Sequence, residues 1–447
     1  MSKLRTKKWF SPCWTTHIFI LLMTAGLPLW FWRGGYTDLT SAKFAYAATL
    51  TGVWVLTTAA TAIATNNGIT MTADKWLVVL LILFAGISSV FSPYPNHVWI
   101  GSGRHNGFLS LVLYGIIYIG VSSYGKMRRA YVTVFTAALF ICCIVSLFQL
   151  LGKNPFGLYP GDWNYYDKGI QYSSEFLGNV GNVDIFGALL CLGIPLSMGT
   201  AINESGRSLW VLAAMSAVCI FITVVMDVKA TLLGTAAGMI ILLFAGVTNK
   251  KQEIRKKTLG LFLIVVLTIL LANVVTFSEQ GISLGRGQEP ESTLTESGEK
   301  AELGNILQGQ WNDEIGSGRI GIWKTLLKTV PQHFWIGTGP GTVADRAGIV
   351  YERYVPETGR TLKARVDNAH NEFLEYLVCE GIIGLLLYLF LIIYTVARCR
   401  NGPRTERRLL LTAMGSYWIQ SFFGLGLILV LPIVFLFWGL LNQSENK

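Results

Sequence analysis

The feature that most constrains this chain is a succession of apolar blocks, each near the roughly 17–25 residues that carry an α-helix across the hydrocarbon core of a bilayer. Twelve can be drawn, at 16–32, 44–64, 76–92, 107–123, 131–151, 182–201, 209–226, 229–247, 259–277, 371–397, 409–423 and 426–442. The last two belong to one apolar stretch broken only by Gly424, Gly426 and Pro432. The blocks are apolar throughout and do not repeat with a period that would leave one polar face. Composition agrees: 14% of residues are charged, against about 25% in soluble domains. The expected fold is all-α, a polytopic membrane protein of about twelve helices. It divides into an N-terminal bundle of about nine helices at 1–277, a loop domain at 278–370 carrying short amphipathic helices, and three helices at 371–447.

The net charge of +10 reads as a topology signal and not as a nucleic-acid footprint. Its basic residues gather in alternate loops: Lys3 to Lys8, Lys126 to Arg129, Lys250 to Lys257 and Arg398 to Arg408. Twelve spans would put all four clusters and both termini on one side, which the positive-inside rule makes cytoplasmic. The first apolar segment has no small-residue cleavage site and reads as a retained anchor. The seven cysteines lie in or near the spans and contain no C-x-x-C pair, so they are expected as small apolar fillers.

With the amino terminus inside, the outer segments are 92–107, 152–181, the turn at Asp227–Lys229, and 278–370. Residues 278–310 are polar and rich in Gly, Ser and Glu, which predicts a flexible stretch. The acidic residues of 289–314 lack EF-hand spacing and read as a solvated loop. Residues 311–370 hold Trp311, Trp323, Phe334 and Trp335. There Ile320, Trp323, Leu326, Leu327 and Val330 recur at three- and four-residue steps, which predicts an amphipathic helix ended by Pro331. GTGPG at 337–341 predicts a tight turn, since no strand pattern surrounds it.

The polar mouth of the tenth span, VDNAHNEFLEYLVCEGIIG, carries the candidate chemistry. His370 is one of five histidines, and a neutral imidazole at a membrane surface can accept a proton. Asp367 or Asn368 could cap the helix beginning there, and Glu372 and Glu375 suit its dipole. A capped interfacial helix start and a catalytic base both fit. Cations accompany it on the same face: Arg319, Lys229, Arg104 and Arg365, with His105 beside Arg104. Each alone could snorkel; together with a histidine they suit the grip on phosphate oxygens that guanidinium and ammonium groups provide.

These pieces, in this order, resemble the O-antigen ligase and O-antigen polymerase superfamily of bacterial envelope glycosyltransferases. SGRIGIWKTLLKTVPQHFWIGTGPG (317–341) looks like the family's Arg-x-x-x-Trp segment with its Gly-x-Gly turn, carried here by Arg319 and Trp323. DNAHNEFLEYLVCEGIIGLLLYL (367–389) looks like its His-Asn-x-x-Leu-Glu segment, carried by His370, Asn371 and Glu375. GNVGNVDIFGALLCLGIPLSM (178–198) and NHVWIGSGRHNGF (96–108) are similar to its upstream motifs.

The resemblance implies a donor glycan on polyprenyl diphosphate, at the outer face of the bacterial cytoplasmic membrane. The acceptor would be a glycan, lipid or protein hydroxyl. His370 would be the general base, with His105 and Glu375 as lesser alternatives. Arg319, Lys229 and Arg104 would hold the diphosphate, supported by Asn371, Glu375, Arg365 and Trp323. Lys229 stands in Asp-Val-Lys-Ala, where the family usually has Ser-Arg-Gly, so the charge stays while the two-pronged fork is lost. The implied reaction is inverting and needs neither metal nor other cofactor. A repeat-unit polymerase is the nearest alternative, and a lipid-linked sugar flippase is the alternative from another class.

Overall fold

The computed structural model describes residues 11–167, 171–279, 281–284, 319–348, 350–355, 360–400 and 405–443. These residues form fifteen α-helices and three two-stranded antiparallel ribbons, the first being β1 (Phe176–Leu177) with β2 (Gly181–Asn182). The helices are α1 (Pro12–Leu29), α2 (Leu39–Thr65), α3 (Ala73–Val90), α4 (Phe108–Tyr124), α5 (Arg129–Leu150), α6 (Val183–Asn203), α7 (Gly206–Met226), α8 (Lys229–Val247) and α9 (Gln252–Val274), followed by α10 (Arg319–Thr329), α11 (Val343–Ala347), α12 (Glu372–Cys379), α13 (Gly381–Arg400), α14 (Thr405–Ser421) and α15 (Leu431–Leu441).

The polytopic, all-α architecture is as expected; the count of spans differs. Among the described residues nine helices are long and apolar enough to cross a membrane, namely α1, α2, α3, α5 to α9 and α13. Helices α4 and α15 are apolar but shorter, at 17 and 11 residues. The expected tenth span, 371–397, splits: α12 is a separate helix of 8 residues, and α13 begins at Gly381, whose φ of +71° breaks the run. The block 409–442 likewise resolves into two helices, with 422–430 non-helical between them.

Helix α6 lies at the centre, its membrane window 100% buried. Nothing in it must face lipid, and from Ile185 to Ile202 its sequence is apolar or small. Helices α5, α7, α8 and α14 pack around it. Close approach rests on small residues, as is general for helices in lipid: a Cβ added at Gly187 would overlap the Thr231 side chain of α8. A Cβ added at Gly234 of α8 would likewise crowd the Ser416 carbonyl of α14, at 2.6 Å.

The bundle has two chemically different ends. At one, Arg129 pairs with Glu204 at 2.7 Å and Arg398 lies 3.6 Å from the buried Asp74. The basic positions near 126–129, 250–257 and 398–408 all fall at this end. At the other end lie the α3–α4 loop, the N-termini of α6, α8 and α13, and the segment 319–379.

In that segment α10 is the expected amphipathic helix. Leu326 and Val330 are buried with Val343, Ala369, Leu374 and Val378, and Trp323 packs against this cluster. Leu327 departs from the expected stripe and is exposed. Pro331 lies in a 3-10 turn directly after the helix, as its missing N–H requires. The polar stretch expected to be flexible starts as a ribbon, β3 (Val275–Ser278) with β4 (Gly281–Leu284). Residues 285–318, Trp311 among them, lie outside the described residues. GTGPG is a turn, with Gly337, Gly339 and Gly341 at φ +67°, +97° and +72°.

That turn fixes the α12–α13 junction by backbone contact. The Gly339 N–H donates to the Cys379 carbonyl at 2.7 Å, and Ser88 Oγ donates to the same oxygen at 3.0 Å. A Cβ at Gly337 would overlap the Cys379 carbonyl, and one at Gly381 would overlap the Trp335 carbonyl. Both glycines also hold positive φ, so any side chain is strained there twice over. Gly381→Ala is therefore expected to lower the melting temperature of the purified protein by several degrees, the effect of roughly 1–3 kcal/mol. An unchanged melting temperature would contradict the contact.

Candidate active site

The ribbon β5 (Val350–Val355) with β6 (Arg360–Arg365) delivers the chain into Asp367–His370, Val350 standing opposite Arg365. Asp367–His370 is a short irregular run held on every side. The His370 N–H donates to Asn368 Oδ1 at 2.8 Å, a local turn that leaves His370 at φ +48°. Non-glycine residues rarely adopt this region, and when they do the surroundings hold them there. The preceding peptide is clamped from both faces: Trp323 Nε1–H donates to the Ala369 carbonyl at 2.8 Å, and the Ala369 N–H donates to Glu375 Oε2 at 2.8 Å. The helix cap is Asn371, whose side chain accepts the Leu374 N–H at 2.9 Å, and neither Asp367 nor Asn368 serves as expected. Asn371 instead of its predecessors caps because Asn368 is committed to the His370 turn.

The His370 ring is largely enclosed, and Nδ1 is buried without a hydrogen-bond partner. Buried polar atoms are seldom left so, and each exception calls for a reason. Two ion pairs flank the ring. Arg319 Nη2 contacts both oxygens of Asp184 at 3.1 and 3.2 Å. Arg104 Nε donates to Asp367 Oδ2 at 2.5 Å. Burial pushes the imidazole below its ordinary value; Asp184 raises it, Arg319 and Arg104 lower it, and Asp367 raises it. Within each pair the two charges oppose each other, so burial decides and favours the neutral ring.

The expected site residues are not brought together equally. His370, Arg319, Arg104, Trp323, Asn371 and Glu375 converge. Lys229 heads α8 and holds Asp227 at 2.8 and 3.0 Å, a pair about 60% exposed, whereas Arg319 and Asp184 are 19% and 14% exposed. Arg365 ends β6, and its side chain lies outside the described residues. His105 turns away: its ring stacks on Phe44 at 4.4 Å and Nε2 meets Ser41 Oγ at 3.1 Å. Glu375 sits in α12, outside the nine candidate spans, and burial pushes its carboxyl up to about 7. One of its oxygens is already committed to Ala369, which suits a group that holds His370 in place.

Asp184 is the site residue that sequence reasoning missed. It lies in the first turn of α6, where Asn182 caps the helix by accepting the Asp184 N–H at 2.8 Å. The Asn-x-Asp start of a wholly buried helix was the available signal, since an acid there suits the helix dipole and otherwise demands a cation. The arrangement supplies a neutral imidazole ready to take a proton, beside two guanidinium groups. Among the described residues Nε and Nη1 of Arg319 make no hydrogen bond. An anion could therefore meet them without displacing Asp184. Among the described residues no group of three or more His, Cys, Asp or Glu side chains is placed to hold a metal ion.

Comparison with curated proteins gives no match. Comparison with protein families does: residues 214–389 match the family model described as O-antigen ligase. The match takes in Lys229, Arg319, Trp323 and His370, while Arg104 and Asp184 lie outside it. The chain is thus similar to the O-antigen ligase family over residues 214–389, and its nine candidate spans are those of a multi-pass membrane protein.

Proposed function

We propose that the protein transfers a glycan from polyprenyl diphosphate to a hydroxyl of a lipid, glycan or protein acceptor, at the outer face of the bacterial cytoplasmic membrane. The observation that carries this reading is His370: a neutral imidazole in a strained, clamped backbone, with an unpartnered buried nitrogen, between two arginines. The side is read from charge, since the basic clusters lie at the bundle end opposite His370. Both termini are then cytoplasmic.

In the reaction, an acceptor O–H meets the imidazole, which takes the proton as the oxygen attacks the anomeric carbon. The new C–O bond forms as the bond to diphosphate breaks from the opposite side, so the anomeric centre inverts. Charge develops on the leaving diphosphate, and fixed cations in a poorly hydrated site meet it with little reorganisation. Arg319 and Arg104 are placed for this, and Lys229 adds a point charge. No covalent enzyme intermediate and no metal enters these steps. Asn371, Trp323 and Glu375 hold the base, and Arg365, at the end of β6, takes a supporting part in this reading.

The test is transfer by purified protein from a polyprenyl-diphosphate oligosaccharide to candidate acceptors, with and without a metal chelator. His370→Ala should lower turnover by at least about 10²-fold, the usual worth of a positioned base. Full activity of a folded His370→Ala protein, or activity abolished by the chelator, would overturn the mechanism. Movement of the lipid between leaflets without transfer would mark a flippase, and lengthened donor-linked glycan would mark a polymerase.

The pH profile tests the field at His370. A depressed imidazole stays unprotonated to lower pH than the free group, so the acid limb of turnover should lie below pH 6.5, the ordinary histidine value. Asp184 raises the His370 value, so Asp184→Asn should move that limb further toward acid, by up to about one unit. A limb displaced toward neutral pH would show that Asp184 does not act on His370.

A further inference from the structure

Beside the His370 site, a cleft of about 240 Å³ opens between the N-terminus of α2, the α3–α4 loop, the 171–182 segment and the 427–429 turn. Its walls are of two kinds. One is aromatic: Tyr172, Phe176 and Tyr36 form an edge-to-face cluster, with Tyr172 and Phe176 centroids 4.7 Å apart. The other is a set of short neutral hydrogen-bonding groups, chiefly Thr40, Ser41 and Gln171. Arg104 and Asn182 also line it.

Three observations mark this cleft as built. Tyr36 is fixed behind it: its hydroxyl donates to the Gly178 carbonyl and accepts from Gln149 Nε2 at 2.9 Å. Tyr172 is held at φ +74°, a region that costs a non-glycine residue about 1–3 kcal/mol unless its surroundings impose it. The cleft also shares residues with the reactive centre. Arg104 pairs with Asp367, three residues before His370, and Asn182 caps the helix whose Asp184 holds Arg319.

We propose that this cleft is a saccharide subsite, holding the sugar unit next to the bond that His370 helps to form. A pyranose has an apolar C–H face and an equatorial rim of hydroxyls, each both donor and acceptor. An aromatic wall facing neutral hydroxyl and amide groups complements it on both counts. A free phosphate or lipid headgroup fits less well, because Arg104 is the one cation among the described lining residues and it is already paired. An apolar lipid tail would leave the hydroxyl and amide groups unpaired. The proposal rests on the transfer reading, which it deepens by placing the sugar on the α2 flank of His370, with Arg104 shared between the cleft and the diphosphate grip.

Two arms separate the failure of this subsite from failure of the transfer reading. In the kinetic arm, Tyr172→Ala should raise KM for one co-substrate about tenfold with little change in kcat, and Tyr172→Phe, which keeps the ring, should restore it. A rise for the lipid-linked donor places the donor's first sugar in the cleft; a rise for the acceptor places the acceptor's terminal sugar there. KM values unchanged for both would overturn the subsite. In the binding arm, the probe is the free oligosaccharide released by mild acid from the producing cell's lipid-linked pool. It is added to His370→Ala protein and followed by saturation-transfer NMR. Signal on the sugar protons, lost on adding Tyr172→Ala or Ser41→Ala, supports the subsite even if transfer is absent. Signal that survives both substitutions, or no signal from folded protein, overturns it whatever the outcome of the transfer assay.

Discussion

The contact between Arg319 and Asp184 is the one on which the arrangement of this molecule turns. Asp184 belongs to the most buried helix, α6, and Arg319 begins a helix that lies outside the spans. A carboxylate in the first turn of α6 is favoured by the helix dipole, but so little exposed it needs a partner. A guanidinium at the first residue of α10 is disfavoured by its own helix dipole, and the carboxylate offsets this. Removing either member leaves a largely buried charge uncompensated, which is far more costly than the pair is stabilising. Through this contact the segment that carries His370 is referenced to the centre of the bundle. Trp323, one turn further along α10, then clamps the peptide before the histidine.

The same pairing sets the electrostatics. Each arginine beside His370 has a carboxylate partner, so the site carries little net field. An isolated cluster of cations would hold the histidine deprotonated but would also repel one another and invite any passing anion. Carboxylate partners let the cations sit together at small cost.

Much of this was legible in the sequence, for identifiable reasons. Apolar blocks announce helices because the bilayer leaves the backbone no other partner, and α10 was visible because one face is buried in a small cluster of its own. His370 and Arg319 stood out as polar residues at the edges of apolar runs. Helix boundaries were harder: the break at Glu380–Gly381 depends on a backbone contact with Trp335, forty-odd residues away in sequence and invisible to local pattern. Leu327 fits the helical period yet points outward, since the cluster beneath α10 is too narrow to receive it. Asp184 was hidden by its surroundings, a single acid in a run of apolar residues whose partner lies 135 positions on. The aromatic cleft is assembled from four separate stretches, none of which has a periodic signature.

The interruption between α12 and α13 also bears on how the protein meets membranes of different thickness. A span that is too long or too short for its bilayer tilts, and a rigid continuation would carry that tilt into whatever it bears. Here the histidine is on the far side of a glycine break from the span, and α12 is tied to the GTGPG turn and to α3 through the Cys379 carbonyl. The start of α13 is fastened as well, the Ile382 N–H donating to the Phe334 carbonyl at 2.8 Å and the Tyr388 hydroxyl to Glu372 at 3.0 Å. A tilt imposed by the lipid therefore has to be borne at this junction, next to the segment that carries His370.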